Sequence, residues 1–510
     1  MTEQTVPLPP GWVAATVGDT ATYINGLAFK PSDWVDEGYP IIRIQNLTDE
    51  SKPLNRTLRT VDASYLVKSG DILVSWSATL DAFTWKRETA ILNQHIFKVV
   101  PNETVVGRPF LYYLLCHTIS ALRASAHLHG STMSHINRGP FLGFTVSLAP
   151  LNEQIRIVSA IDTHFTRLDV AVAALRRTRT NLKRYRAAVL KAACEGRLVP
   201  TEAALACTEG RDYESGEHLL ARILAERRAR WEAVQQERFA KSGKQPPFNW
   251  RAKYEEPAAP DTGELAEGWC WASLAHLKEF SLYGPRFSSD DYSAAGKLVL
   301  RTSDISQSGR VRTASAPRLT LSDAEFAKYR VDIGDLLITR TGSLGTLAVF
   351  DDDVEAIPGA YLIQYRLIAP VVTSWYIFYF LKSPVGQGHL VGGGAGVGRP
   401  NLNAPTIEAV PVPLPPLAEQ QRIVAEVERR LSVVDQMEAA VGSGLKRAER
   451  LRQAILKRAF EGRLVPQDPN DEPASVLLER IRAERGMVDG DVKKRGRNRT
   501  ADARQQILPV

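Results

Sequence analysis

Gly392-Gly393-Gly394-Ala395-Gly396-Val397-Gly398 is the run in this 510-residue chain that comes nearest to a phosphate cradle. It misses the GxGxxG spacing that brings backbone close to a pyrophosphate, and no helix pattern opens after it, so a ligand-facing loop is expected there. The nine histidines show no metal spacing, and His95, His129 and His135 read as loop or strand residues. Cys116, Cys194, Cys207 and Cys270 are scattered without a CxxC pair, which argues against zinc or a disulfide framework and leaves buried thiols. GxxxxGK[ST], HExxH, GxSxG and the Asn/Asp-Pro-Pro-aromatic signature of an adenine methyltransferase are missing. An enzyme of this size should show one such signal, so the sequence points away from catalysis.

The composition, 44% hydrophobic and 24% charged, excludes wholesale disorder, and the length suggests two to four domains. No stretch nears twenty apolar residues, and the start MTEQTVPLPPGW lacks a secretory pattern, so a soluble cytoplasmic protein is expected. The net charge of +7 is uneven: residues 1–148 and 265–412 carry 0 and −1, while 149–264 and 413–510 carry +4 each. In the basic segments, Arg176, Arg177, Arg179, Lys183, Arg184 and Arg186, and again Lys446, Arg447, Arg450 and Arg452, form either a solvated helix face or a face toward phosphate or an acidic partner.

Those segments are copies of one another. A shift of 266 residues aligns APLNEQIRIVSAI at 149 with PPLAEQQRIVAEV at 415 and CEGRLVP at 194 with FEGRLVP at 460, with 22 identities over residues 149–200. LLARILAER at 219 matches LLERIRAER at 477, with the shift reduced to 258. Fainter echoes lie upstream: Gly11-Trp12 and Gly268-Trp269, Gly70-Asp71 and Gly334-Asp335, His135-Ile136-Asn137 and Asn401-Leu402-Asn403. The order is variable, constant, variable, constant.

Each constant block carries a 3.5-residue apolar spacing, from Val158 through Ile161, Phe165, Leu182 and Tyr185 to Val189, and from Val424 through Val434 to Ile455. That spacing predicts two coiled-coil helices, each opening after a proline run and stopping near Gly196 or Gly462. Residues 153–194 would span roughly 63 Å, and duplication makes an antiparallel pair about an approximate two-fold axis the expected solution. Gly442 and Gly444 weaken the second helix by about 1 kcal/mol each and leave its continuity open. The variable segments read as short strands, including Ile41–Ile44, Asp71–Trp76 and His95–Val100, with helices near 107–123 and 373–383. The fold class is therefore α+β (mixed α/β), duplicated, with two variable domains separated by a long antiparallel coiled coil. Its expected parts are 1–148, helices 149–241, a proline- and charge-rich linker 242–264, 265–412, helices 413–486, and a basic, disordered tail 487–510.

The duplicated Pro-Leu-x-Glu-Gln-x-Arg-Ile-Val block, the repeated Glu-Gly-Arg-Leu-Val-Pro, the KYEEPAAPDT linker and the Gly-Asp-Ile/Leu-Leu elements resemble the specificity (S) subunits of type I restriction-modification systems, over the chain to about residue 485. The resemblance implies two target recognition domains, each reading one half of a split site in double-stranded DNA. It implies helices that hold them apart and dock two modification (methyltransferase) subunits carrying S-adenosylmethionine. A restriction subunit, a translocating endonuclease using ATP and magnesium, would complete a prokaryotic cytoplasmic complex. This chain itself would hold no cofactor or metal, perform no catalysis and touch no membrane. A duplicated coiled-coil scaffold without DNA contact and a fused enzyme with an unrecognised motif are the alternatives.

Arg, Asn, Gln, Ser and Thr on loops are the side chains that reach base edges. By repeat position the candidates are Arg43, Gln45, Asn46, Ser75, Trp76 and Ser77 in the first domain, and Arg301, Ser303, Arg340, Thr341 and Ser343 in the second. The terminal loops add Ser131, Thr132, His135, Asn137 and Arg138, then Arg399, Asn401 and Asn403. Gly70-Asp71 and Gly334-Asp335 read as structural turns.

Overall fold

The computed structural model describes residues 7–77, 79–128, 138–243, 245–260, 262–340, 346–368, 370–392 and 402–480. The expected disordered tail and the glycine run after Gly392 lie outside these. The chain packs as two compact units, residues 1–176 with 442–510 and residues 177–441. Each unit holds one variable segment and part of both long helices.

The first unit contains β1 (Val13–Thr16), β2 (Ala21–Asn25), β3 (Tyr39–Ile42), β4 (Asn55–Thr57), β5 (Leu66–Val67), β6 (Ile72–Ser75), β7 (Asp81–Thr84), β8 (Ala90–Leu92), β9 (Ile96–Pro101) and β10 (Thr145–Leu148). They form sheets ordered β2-β9-β6-β7 and β4-β3-β8-β5, with β1 and β10 as an antiparallel ribbon. β6 is buried at every position: Ile72 and Val74 enter one core with Phe97, Phe110 and Phe141, while Leu73 enters another with Ile42, Trp85 and Ile96. A strand covered on both faces needs an unbroken apolar run, and DILVSW supplies it.

The second unit repeats the plan with β11 (Cys270–Ser273), β12 (Lys278–Tyr283), β13 (Lys297–Leu300), β14 (Arg318–Leu319), β15 (Leu336–Thr339), β16 (Leu347–Val349), β17 (Ala356–Pro358), β18 (Leu362–Leu367) and β19 (Pro411–Leu414). Its sheets run β12-β18-β15-β16 and β14-β13-β17, with β11 and β19 as the ribbon. The helices expected near 107–123 and 373–383 are Arg108–Leu128 and Val371–Lys382.

The long helices are Leu151–Cys194 and Leu417–Phe460, 44 residues each. Within the first unit Asp169 pairs with Arg452, and within the second Arg186 pairs with Asp435 and, at 3.2 Å, Glu438. In the first unit Asp169 faces Arg452 and Leu175 faces Gly444, so numbers rise on one helix as they fall on the other and the pair is antiparallel. Ile161, Phe165, Leu182 and Val189 are buried as expected, but Tyr185 is exposed on the flank of the seam. The second helix continues through Gly442 and Gly444. A Cβ at Gly444 would lie 3.1 Å from Leu175 Cδ1, so close helix approach, and not a break, explains that glycine.

The repeated Gly-Trp and Glu-Gln motifs lock to each other. Trp12 Nε1 donates to Glu153 and Trp269 Nε1 to Glu419, both at 3.0 Å and buried. Gln154 Nε2 donates to the carbonyl of Ala149 and Gln420 Nε2 to that of Pro415, fixing each helix start. Ala474 N donates to Gly11 O at 2.8 Å in the first unit, as Gly216 N donates to Gly268 O at 2.7 Å in the second. The segment after each Glu-Gly-Arg-Leu-Val-Pro thus fastens to the entry of a variable domain, and in the first unit this brings residues 11 and 474 together.

The linker is not a free spacer. Trp250 is buried and stacks on Trp231 at 5.9 Å, and Tyr254 accepts from Arg227 Nη1 at 2.8 Å, so the segment folds back on the helix Gly216–Ser242. Cys207 is exposed, unlike the expected buried thiol, because it sits on the outer face of Glu202–Glu209. Burial pushes the thiols of Cys116 and Cys194 up to about 12.

Candidate nucleic-acid interface

In each unit two parallel strands end together: β3 beside β8, with Ile42 opposite Leu92, and β13 beside β17, with Leu300 opposite Pro358. A cavity opens beyond those ends, about 340 Å³ in the first unit and about 360 Å³ in the second. The first is lined by Phe29, Trp34, Arg43, Gln45, Gln94 and His95. The second has Phe287, Tyr292, Arg301, Ser303, Ala360 and Tyr361. The first four of each set differ by 258 positions and the last two by 266, the two shifts of the duplication. The same close approach shapes both: a Cβ on Gly26 would lie 2.0 Å from Asn93 O, and one on Gly284 would lie 2.1 Å from Gly359 O. The scaffold is kept and the lining has changed.

Arg43 lies over the half-exposed Trp34 ring, 5.3 Å from its centroid. Arg301 is held instead by Asp304, with Nε to Oδ2 and Nη2 to Oδ1 both at 3.0 Å, and this carboxylate raises the arginine above its ordinary range. Gln45 and Ser303 are exposed. His95 is the described non-glycine residue with a left-handed backbone, φ 71°, and its ring meets Trp76 edge-on at 4.7 Å. Trp76 stacks on Phe97 and donates to Asn25 Oδ1 at 3.3 Å.

Several candidates have internal tasks. Asn46 is buried, and its amide donates to the carbonyls of Lys52 and Pro53. Ser75 is buried and its hydroxyl donates to Thr79 O; Ser77 is buried on the cavity wall. Asn403 caps the helix Ala404–Glu408. Arg340 lies over Tyr283 at 5.1 Å, and Arg138 is exposed, reaching Tyr23 O at 3.4 Å. Ser131, Thr132, His135, Asn137, Thr341, Ser343, Arg399 and Asn401 lie outside the described residues. Asp71 and Asp335 bind their turns from within, accepting from Lys68 N at 2.9 Å and Asp332 N at 2.8 Å. Sequence reasoning missed Trp34, Tyr292, Gln94, Tyr361 and Asp304. Aligning the copies at the 258-residue shift around Arg43 and Arg301 would have found most of them.

A second, larger pair of cavities lies against the long helices. In the first unit it measures about 1110 Å³ and includes Tyr113, Asp162, Phe165 and Arg452. In the second it measures about 1190 Å³ and includes Tyr379, Glu428, Leu431 and Arg186. Of the basic helical runs, Arg186 and Arg452 are therefore already engaged by acidic residues of the facing helix. Among the described residues no group of three or more His, Cys, Asp or Glu could hold a metal, and no helix is long and apolar enough to cross a membrane.

Comparison with known proteins agrees with the duplication. The family model described as the type I restriction modification DNA specificity domain matches residues 9–171 and again 277–437. The chain is 26% identical to the type I restriction enzyme EcoBI specificity subunit of Escherichia coli, over 94% of this chain and 93% of that protein. It is 25% identical to the EcoKI specificity subunit of E. coli strain K12, over 97% and 99%. A chain from a solved structure titled for complex assembly and conformational transition of the type I R-M system shares the fold, with a TM-score of 0.56, 18% identity, and coverage of 90% of this chain and all of that one.

Proposed function

The chain belongs to the type I restriction modification DNA specificity family, and from that premise we propose that it is the sequence-reading, non-catalytic subunit of a restriction-modification complex. Each variable domain binds one half of a bipartite site in double-stranded DNA. The observation that carries this reading is the repeated cavity beyond the parallel strands, with one scaffold and two linings. Two half-sites of different sequence require that combination. An approximate internal repeat also suits a two-part site, as protein symmetry mirrors operator symmetry elsewhere.

The near-neutral charge of residues 1–148 and 265–412 implies weak binding by the chain alone, since phosphate neutralisation supplies much of DNA affinity. Partners supply the missing charge. The larger cavities against the long helices support docking of two modification subunits, one at each. Those subunits would bring S-adenosylmethionine and the methyl-transfer residues; a restriction subunit would bring ATP and magnesium. This chain would hold no cofactor, and the complex would work in a prokaryotic cytoplasm.

Mapping methylated sequences in cells with and without this gene tests the proposal. A two-part sequence that disappears with the gene is expected. Unchanged methylation in cells that carry the partner genes would favour a scaffold without DNA contact.

A further inference from the structure

The duplication places one arginine in two comparable settings. Arg43 N donates to Asn46 Oδ1 at 3.1 Å and Arg301 N to Asp304 Oδ2 at 2.9 Å, so the same turn presents both side chains. The residue three positions on separates the two settings. Asn46 turns its amide inward, to Lys52 O at 3.3 Å and Pro53 O at 3.0 Å, and offers Arg43 no carboxylate. Asp304 engages Arg301 Nε and Nη2, and Ser315 O accepts a further bond from Nη2 at 2.9 Å. These bonds occupy Nε and both Nη2 donors and leave only Nη1 with unused hydrogens, so Arg301 no longer offers a paired fork. Among the described residues the Arg43 guanidinium has neither an acceptor nor an ion-pair partner, only the Trp34 face beneath it.

A guanidinium laid on an aromatic ring keeps its planar fork of donors while losing little rotamer freedom on binding. Guanine O6 and N7, side by side in the major groove, form the base edge that accepts such a fork in bidentate fashion. We infer that Arg43, held on Trp34, reads a guanine in the half-site of the first unit, and that Asp304, standing where the first unit has Asn46, withdraws the equivalent arginine from reading in the second. The second cavity keeps a different cation, the exposed Arg286, beside Ser303 and the exposed Tyr361. This inference rests on the proposal that the variable domains contact DNA.

The test uses the full chain, co-expressed with its methyltransferase subunits, with methylated sequences mapped for wild type, Arg43→Met and Asp304→Asn. A wild type that yields no methylated sequence dependent on this chain defeats the DNA-binding proposal itself. Given a wild-type sequence, Arg43→Met keeps a side chain of similar length over Trp34 and removes every donor, which lysine would not do because it too can donate to guanine O6 and N7. Preference for guanine at one position of one half-site should then fall roughly five- to 150-fold, with the other half unchanged. Asp304→Asn should alter one position of the other half-site only. Where methylation is too sparse to map, competition binding by the purified complex, with duplexes substituted position by position, reads the same preferences. Unchanged preference in Arg43→Met overturns the inference, whether or not affinity falls, since loss of a phosphate contact would weaken binding to every sequence alike. Changes in both halves, or weaker assembly with the methyltransferase subunits at an unaltered sequence, overturn it too. An unaltered second half-site in Asp304→Asn overturns the role given to Asp304.

Discussion

Trp12 donates its indole N–H to Glu153 at 3.0 Å across 141 residues of sequence, and Trp269 does the same to Glu419 across 150. Each bond ties the residue just ahead of a variable domain's entry strand to the first turn of the long helix that leaves it. Trp12→Phe or Trp269→Phe strands a buried carboxylate oxygen and should cost about 1–3 kcal/mol, mostly in the unit concerned. Denaturation followed with unit-specific hydrogen exchange would show it; equal loss in both units would contradict the local role.

Burial raises the Glu153 and Glu419 carboxyls above their ordinary range. With the folded value above the unfolded one, their contribution to stability is fully present below the unfolded value and is lost as pH rises through the folded value. Glutamine does not titrate. The stability of wild type minus that of Glu419→Gln should therefore decline with rising pH across that window and level off above it. Chemical denaturation at a series of pH values is the measurement, and a difference that grows with pH would contradict the assignment.

Residues 467–480 close the first unit through Gln467 to Glu153 at 3.3 Å, Asp471 to Arg156 at 2.6 Å and Ala474 to Gly11 at 2.8 Å. Ending the chain after Pro466 should expose the amides of β1 and β10 to exchange and leave β11 and β19 protected. Equal loss of protection in both ribbons would show that the closure is not local.

If the variable domains are independent readers, replacing residues 11–148 with the equivalent domain of another such subunit should change one half of the methylated sequence. Methylation mapping reads the result directly. A change in both halves would show that the domains do not read separately.

The long helices are expected to act as a ruler. One heptad inserted after Leu175 and one after Val441 would keep the apolar seam and add about 10 Å, which is roughly three base pairs of B-DNA. The insertion also turns one reading surface around the duplex, so activity should drop, and the informative quantity is the spacer in the residual methylated sequence. An unchanged spacer in a folded, active variant would assign the distance to the partner subunits.

The chain's sequence by itself determined the duplication and both long helices and made an antiparallel pair the expected packing, because coiled-coil spacing and identity between copies are local, periodic signals that survive divergence; which residues face each other came from the structure. It placed β6 and β15, whose unbroken apolar runs fit burial on both faces. It did not show that the Gly-Trp and Glu-Gln motifs bond to each other, because nothing local links Trp12 to Glu153. Tertiary structure alone decided which polar residues are free. Asn46 and Ser75 carry the chemistry of base readers, yet both are buried with internal hydrogen bonds. Arg43 and Arg301 are the same residue at the same repeat position, and what separates them is a partner three residues on, whose side chain turns inward in one unit and grips the arginine in the other. Residue type sets what a side chain can bond; only the packed turn around it decides whether that capacity is already used.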